Sequence, residues 1–158
     1  YHRQYVNTET PFVRASHDGQ YLAEQTASPS SGAGFGATVI RRVSDGREVA
    51  RLDKLTVVAF SWDGSRVVTM IPTTGTAIAN EARLVDWQSG TVLWRLPAPS
   101  GNAGSSAVYA LAHPNGPDMV VGIAPQSENG IDELWLVEAN GTARRIVQGP
   151  IWVGFSSP

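Results

Sequence analysis

Phe60-Ser61-Trp62-Asp63-Gly64 is the stretch that decides the fold, because it places a tight-turn sequence between two short apolar runs, at 57–59 and 67–71. An apolar run, an Asp-Gly or Asn-Gly pair and a second apolar run form the strongest short-range signal of a β-hairpin. The same phrase recurs at 15–19 and 112–116, and its first half recurs at 155–158. The sequence therefore predicts three hairpins and the beginning of a fourth copy.

A second turn phrase recurs out of step with the first, in Asp45-Gly46, Ser89-Gly90 and Asn140-Gly141. Within each unit, the glycine of the first phrase and that of the second are 27, 26 and 25 residues apart, whereas the spacings between units are 18 and 26 residues. A nearly constant internal spacing with a variable external one indicates a repeated supersecondary unit joined by linkers of different length.

Each unit holds four predicted strands, because every turn glycine separates two apolar runs. The predicted strands are 12–16, 20–26, 36–43 and 47–52 in the first unit, 56–61, 65–71, 82–87 and 91–96 in the second, and 107–112, 118–124, 132–138 and 142–147 in the third. A lone strand is predicted at 151–155. No stretch keeps a 3.6-residue apolar period, so the sequence predicts an all-β chain with essentially no helix.

Four-stranded units that recur every 44 to 52 residues resemble the blades of TolB-like and WD-repeat β-propellers. In those families the Phe-Ser-x-Asp-Gly phrase forms the turn between the innermost strand of a blade and its neighbour, and residues 85–90 and 134–141 resemble the third strand and its exit turn. The Gly-His pair and the Trp-Asp dipeptide of WD repeats are absent, and Asp86-Trp87 has the reverse order. The bacterial, TolB-like type of blade is therefore the better match.

The resemblance implies a partial β-propeller of three blades plus one strand. It divides the chain into an N-terminal extension at 1–11 and a propeller domain at 12–158, with blades at 12–52, 56–96 and 107–147 and the first strand of the next blade at 151–155. A closed propeller typically has four to eight blades. Two possibilities stay open: further blades complete the ring, or open three-blade units pair with each other and hide their sheet edges.

Composition narrows the function classes. Only 16% of the 158 residues are charged and the net charge is -2, without a basic tract, which argues against a nucleic-acid partner. The absence of cysteine excludes a disulfide scaffold, a zinc ribbon and a thiol nucleophile. No run in this chain approaches the roughly 18 apolar residues of a membrane span. The start at Tyr1 suits a chain trimmed of a signal or membrane anchor, so we expect an extracytoplasmic bacterial protein.

Known catalytic and ligand-binding motifs are missing from the sequence. The glycines at 32–36 lack the spacing and the following Lys-Ser/Thr of a phosphate loop, and no Gly-x-Ser-x-Gly elbow occurs. The histidines and acidic groups without metal-ligand spacing are His2, His17, His113, Asp18, Asp63 and Asp132-Glu133. We interpret Asp18, Asp63 and the two later histidines as turn residues. The sequence therefore predicts no catalytic, cofactor-binding or metal-binding residue and no cofactor, and it does not identify the partner-binding residues.

Arginine and tryptophan supply the remaining candidates. The arginines on the outer predicted strands are Arg41, Arg42, Arg47, Arg51, Arg144 and Arg145, and we interpret them as charges that discourage edge pairing rather than as a phosphate-binding patch. Trp94, Trp135 and Trp152 lie within apolar runs and are expected to fill the space between blades. Trp62 and Trp87 adjoin turns, where a partly exposed ring would suit a protein or sugar surface.

These observations favour a non-catalytic β-propeller binding module that engages a protein or cell-envelope partner. The connections at 27–35, 72–80 and 125–130 all join a second to a third strand, so we expect them to cluster on one face, where rigid scaffolds carry binding loops. The alternative is the propeller portion of a larger hydrolase, such as a prolyl-oligopeptidase-like peptidase, whose catalytic domain lies outside this chain. A sugar-processing propeller is less favoured, because the predicted inner strands contain no Asp or Glu.

Overall fold

The computed structural model describes residues 13–27, 35–72, 79–97, 106–114, 116–125 and 132–149. They form twelve β-strands in three antiparallel sheets, and these ranges contain no helix. The first sheet contains β1 (Val13–Ala15), β2 (Tyr21–Ala27), β3 (Phe35–Arg42) and β4 (Glu48–Leu52). The second contains β5 (Thr56–Phe60), β6 (Arg66–Pro72), β7 (Ala79–Asp86) and β8 (Thr91–Pro97). The third contains β9 (Ser106–Ala112), β10 (Met119–Pro125), β11 (Asp132–Val137) and β12 (Ala143–Gly149).

Each sheet is a simple meander in which every strand pairs with the next one along the chain. All twelve strands lie within a few residues of their predicted positions, so the prediction of an all-β, four-stranded repeat is confirmed. The first strands of neighbouring sheets, β1 with β5 and β5 with β9, pack against each other as the inner strands of a propeller do. The predicted extension at 1–11 and the lone strand at 151–155 lie outside the described residues.

The second sheet packs against a neighbour on both faces, which explains the run of apolar residues in β6. Val67 belongs to a core shared with the first sheet, and its neighbour Val68 belongs to a core shared with the third. Because successive side chains of a strand point to opposite faces, a strand packed on both sides can carry apolar residues in succession. This is why β6 shows an apolar run over 67–71 that only Thr69 interrupts.

Two hydrophobic cores hold the three sheets together. The first core joins Ala23 and Ile40 of the first sheet to Val67 and Val85 of the second. The second core packs residues of the second sheet against the third, among them Val68, Leu84, Met119, Val121, Ile123 and Val137. Trp94 and Trp135 meet in this second core with ring centroids 6.3 Å apart, as predicted for side chains that fill space between blades. Trp152 lies outside the described residues.

The two turn series lie at the same end of each sheet, which we call the turn end (residues 16–20, 43–47, 61–65, 87–90, 113–114, 116–118 and 138–142). The opposite end, where second strands connect to third strands, we call the loop end. Neighbouring turn ends are in contact: a Cβ placed on Gly64 would lie 3.7 Å from Ser16 Cβ. Gly141, with a φ of +89°, packs so closely that a Cβ there would lie 2.1 Å from the carbonyl oxygen of Leu93. The three sheets therefore have the same orientation, with their turn ends side by side.

Across the described ranges, no helix is long and apolar enough to cross a membrane.

Candidate functional site

The two Ser-x-Asp-Gly turns are built by the same hydrogen bonds. In the first, the hydroxyl of Ser16 donates to Asp18 Oδ1 at 2.6 Å and accepts from the backbone N–H of Tyr21 at 2.9 Å. In the second, the hydroxyl of Ser61 donates to Asp63 Oδ1 at 2.7 Å and accepts from the N–H of Arg66 at 2.9 Å. The serine thus closes the hairpin and the aspartate orients the serine.

These hydrogen bonds account for the charge state of both aspartates. The Ser16 hydroxyl and the Gln20 backbone N–H hold the pKa of Asp18 below its ordinary value. Burial opposes the ionisation of Asp63, but hydrogen bonds from Ser61 and Ser65 outweigh it and lower the pKa of Asp63 as well. The interpretation of Asp18 and Asp63 as turn residues is therefore confirmed.

The third turn has a different construction. It contains no Ser–Asp pair, and the N–H of His113 donates to the carbonyl oxygen of Asp118 at 2.9 Å. The carboxylate of Asp118 accepts a hydrogen bond from the N–H of Ala139 at 3.1 Å and so reaches the second turn of the same sheet. The side chain of His113 is exposed.

Aromatic rings join the turn ends of the first two sheets. His17 stacks on Trp62 with ring centroids 3.3 Å apart and 27° between the planes, so the prediction that His17 packs at its turn is confirmed. Trp62 is half-buried by this stack. The expectation of a partly exposed Trp87 is wrong: its side chain is only 4% exposed. Its ring contacts Tyr21 edge-on at 4.9 Å, and its Nε1–H donates to the carbonyl oxygen of Gly64 at 2.7 Å.

The arginines divide into two groups. The edge-strand interpretation applies to Arg51, Arg144 and Arg145, which lie on the outermost strands β4 and β12. It is wrong for Arg41 and Arg42, because they lie on β3, which is paired on both sides, and for Arg47, which lies in a turn. Ion pairs to neighbouring carboxylates hold most of them at 3.0–3.5 Å, namely Arg41 to Glu24, Arg42 to Asp45, Arg51 to Glu48 and Arg145 to Glu133.

Buried polar side chains collect at the loop end between the first and second sheets. Four of the six buried polar residues in the described ranges lie here, Gln25, Thr38, Thr56 and Thr69, and we call this cluster the polar junction. Gln25 Nε2 donates to Thr56 Oγ1 at 2.8 Å, which links the two sheets directly. Thr38 Oγ1 donates to the carbonyl oxygen of Leu55 at 2.7 Å.

The polar junction has hydrogen-bonding capacity that the described residues do not fill. Gln25 Oε1 and Thr69 Oγ1 are buried without a hydrogen-bond partner in that part of the chain. Leaving such a group unpaired costs about 1–3 kcal/mol, so the protein bears a stability cost at this place. The ion pair of Arg83 with Glu81, about one-fifth exposed, lies on the same face of β7 and adds charge beside the cluster.

The repeat shows that this polarity is specific to one junction. At the positions equivalent to Gln25 and Thr38, the second sheet presents Met70 and Ala82 toward the third sheet, and both are buried. The junction between the second and third sheets is accordingly apolar. Because the same fold packs well with apolar residues here, the polar side chains at the first junction are not a requirement of the architecture.

The connections expected to bind a partner leave the sheets at this loop end. Their central parts, 28–34, 73–78 and 126–131, lie outside the described residues, but the strands that carry them end at Ala27, Pro72 and Pro125. The polar junction therefore lies near the strand ends from which the first two connections leave. Sequence reasoning missed it, and the available signal was the interruption of apolar runs by Gln25, Thr38 and Thr69.

The inner strands that the structure describes carry no acidic side chains. β1, β5 and β9 contain no Asp or Glu, and in the described ranges no three His, Asp or Glu side chains come together as a metal ion would require.

Solved structures similar to this chain are β-propeller domains. The β-propeller domain of the trilobed protease from Pyrococcus furiosus matches with a TM-score of 0.54 and 10% identity, over 87% of this chain and 43% of that one. The complex of the fission yeast SREBP-SCAP binding domains matches with a TM-score of 0.56 and 10% identity, over 96% of this chain and 40% of that one. The acylaminoacyl peptidase of Pyrococcus horikoshii matches with a TM-score of 0.52 and 10% identity, over 87% of this chain and 25% of that one.

No protein-family model matches the chain, and no curated protein matches its sequence. The chain spans between 25% and 43% of the length of these structures, and the low identity makes the likeness one of fold. The class is therefore that of β-propeller and WD40-like domains, with three four-stranded blades described. This class includes propeller domains of peptidases as well as WD40 binding domains.

Proposed function

We propose that this chain is a non-catalytic propeller module that binds a protein partner through its loop end. The observation that carries the proposal is the polar junction, where Gln25 Oε1 and Thr69 Oγ1 are buried without a partner among the described residues, near the strand ends from which two connections leave. Buried polar groups with unused hydrogen-bonding capacity lower stability, and functional surfaces are where proteins tolerate that cost. A partner seated on the loops would supply hydrogen bonds at the mouth of this junction.

The architecture supports this proposal, because binding residues favour loops on rigid scaffolds. Three connections leave one end of three sheets that bury two hydrophobic cores between them. One of the similar solved structures is a complex of binding domains, and another is the WD40 domain of SCAP from fission yeast.

The wider setting is also a proposal. We propose a TolB-like, extracytoplasmic protein of bacterial type, in which 12–158 is part of a propeller domain that follows the extension at 1–11. The strand at 151–155 then begins a further blade, and further blades or a second copy close the ring. A cell-envelope component is the alternative partner within the same proposal.

The binding test uses the full-length protein and a matched pair of variants. Gln25→Met with Thr38→Ala converts the polar junction to the apolar pattern of the second sheet, and Arg144→Gln changes an exposed side chain on β12 as the control. A partner captured from source-cell extract, identified and then titrated by calorimetry should bind the control like wild type and bind the double variant at least about tenfold more weakly. Equal binding by both variants contradicts the proposal.

A peptidase propeller is the second candidate, favoured by the likeness to two peptidase structures. In that case a hydrolase domain outside this chain performs the chemistry and the propeller controls access to it. Reaction of the full-length protein with a fluorophosphonate probe distinguishes the two. Labelling of an active serine supports the peptidase, whereas an unlabelled protein that still binds its partner supports the binding module.

A further inference from the structure

An open cleft of about 360 Å³ lies at the turn end between the first and second sheets, at the opposite end from the polar junction. From the first sheet it is lined by Tyr21, Val49, the turn residue Arg47 and the strand ends Arg42 and Glu48. Trp87 and Gln88 line it from the second sheet. The cleft thus combines an aromatic interior with a charged rim.

The interior of the cleft is held rigidly. Trp87 is buried. Its Nε1–H donates a hydrogen bond to the carbonyl oxygen of Gly64, and its ring packs against the ring of Tyr21, so the side chain is held in one position. Val49 packs on the core below. The apolar part of the cleft surface is the smaller part, but it is preformed, which reduces the entropic cost of binding an aliphatic side-chain stem placed against it.

The charges on the rim do not cancel. Arg42 is paired with Asp45 at 3.2 Å, and both carboxylate oxygens of Glu48 are occupied by Arg51, each at 3.0 Å. Arg47 has no carboxylate within ion-pair distance and no side-chain hydrogen bond among the described residues. One positive charge therefore remains unpaired at the edge of the cleft.

Two further polar groups beside Arg47 have no hydrogen-bond partner in the described part of the chain, the Tyr21 hydroxyl and the Gln88 carboxamide. A guanidinium presents its donors in a planar fork that matches a carboxylate, and the amide and the phenol add further donors. We propose that this cleft binds an Asp or Glu side chain on an acidic segment of a protein partner. Arg47 holds the carboxylate and Tyr21 contacts the stem.

The shape of the cleft and the charge of the chain select this ligand class. Sites for small molecules enclose most of the ligand, whereas this cleft is open and bounded on one side by turns. Nucleic acid requires a basic patch, but the chain has a net charge of -2 and a single unpaired arginine at this place. The cleft is separate from the loop end, so the proposal does not depend on the proposed function.

The test measures the binding of blocked tripeptides to the full-length protein. The probes are acetyl-Glu-Leu-Glu-amide and its neutral match acetyl-Gln-Leu-Gln-amide, and the readout is the indole N–H resonances of the tryptophans, assigned from single Trp→Phe variants. The acidic peptide should shift the resonance of Trp87 but leave that of Trp135 in place. Arg47→Gln should weaken binding about tenfold, as expected on loss of a charge-assisted hydrogen bond.

Controls separate a specific site from general attraction of anions. Arg144→Gln, another exposed arginine, should bind the acidic peptide like wild type, and Arg47→Glu should instead bind acetyl-Lys-Leu-Lys-amide. Equal binding of the neutral peptide, equal loss in the Arg144 variant, or displacement by sodium sulfate at the peptide's own concentration would each overturn the proposal. Because Arg47 is exposed, its variants should unfold at the wild-type temperature. Binding of the basic peptide by Arg47→Glu would in addition show that this variant is folded and that the site is intact.

Discussion

Trp87 and Gly64 are joined by a hydrogen bond of 2.7 Å from the indole nitrogen to the carbonyl oxygen, which ties the two turns of the second sheet together. The other sheets make the equivalent tie with different atoms, Val43 N to Gln20 O at 2.8 Å and Ala139 N to Asp118 Oδ1 at 3.1 Å. Each sheet thus closes its turn end by one bond, and only in the second is the donor a large side chain. That donor also forms part of the first core.

Trp87→Phe should lower the free energy of unfolding by about 2 kcal/mol or more, because it removes a buried hydrogen bond and leaves a small void. Urea denaturation of the variant measures this loss. Trp62→Phe is the matched control, since Trp62 is half-buried and its ring can be replaced in the stack on His17. If Trp62→Phe lowered the free energy of unfolding as much as Trp87→Phe does, the hydrogen bond from Trp87 to Gly64 would not be the stabilising contact.

Gly141→Ala should destabilise the protein more than Gly90→Ala. Both glycines have positive φ, +89° and +74°, so both variants incur a backbone cost of about 1–2 kcal/mol. A Cβ at Gly141 would in addition lie 2.1 Å from the Leu93 carbonyl oxygen of the neighbouring sheet, whereas a Cβ at Gly90 meets nothing within 4 Å. Thermal unfolding of the pair isolates the contact between the sheets. Equal destabilisation would mean that the second and third sheets separate without cost at this point.

Asp63→Asn should lower stability at pH 7 and have no effect in strong acid. The pKa of Asp63 is lowered from its ordinary value of 3.8, so the folded protein binds its proton less readily than the unfolded chain. The stabilisation is therefore complete above the unfolded pKa and is lost as the pH falls through the lower, folded value. Because the side chain is exposed, the difference at pH 7 should be at most about 1 kcal/mol.

Urea unfolding of wild type and Asp63→Asn from pH 2 to pH 7 checks this sign. Glu138→Gln serves as the control, because the Glu138 side chain is exposed and makes no hydrogen bond in the described part of the chain. A wild-type advantage that grows as the pH falls would contradict the role of Asp63 in the turn.

Thr69→Val and Thr38→Val should have opposite effects on stability. The Thr69 hydroxyl is buried without a partner among the described residues, so its removal should stabilise the protein by about 1 kcal/mol. The Thr38 hydroxyl bonds to the Leu55 carbonyl, so its removal should destabilise by about 1–2 kcal/mol. Denaturation of the two near-isosteric variants under the same conditions provides the comparison. Destabilisation by Thr69→Val would show that the hydroxyl has a partner within the folded protein.

The strands could be predicted because their boundaries are encoded locally. Asp-Gly and Asn-Gly turns fix where a chain reverses, and residues such as Gly64 and Gly46 adopt the positive φ that these turns need. The position of each strand then follows from its distance to the nearest turn. Outside such turns the prediction was less sharp, as with β7, which begins at Ala79 rather than at 82.

The candidate sites could not be predicted, because they depend on packing between sheets. The pairing of β5 with β6 shifts register between Val57 and Ala59, and such a bulge changes which side chains face the neighbouring sheet. The burial of Trp87 likewise depends on Gly64, which precedes it by 23 residues. No local pattern distinguishes a threonine that faces a polar partner from one that faces solvent.

The polar junction also makes the coupling between repeats uneven. In a stacked array, cooperativity is carried by the interfaces between neighbours. The interface between the first and second sheets is apolar around Trp87 and Tyr21 but polar around Gln25 and Thr69, whereas the interface between the second and third sheets is apolar. We therefore expect the first sheet to separate from the second more readily around Gln25 than around Trp87. Amide hydrogen exchange would detect this motion as faster exchange at the loop end of that interface than at its turn end.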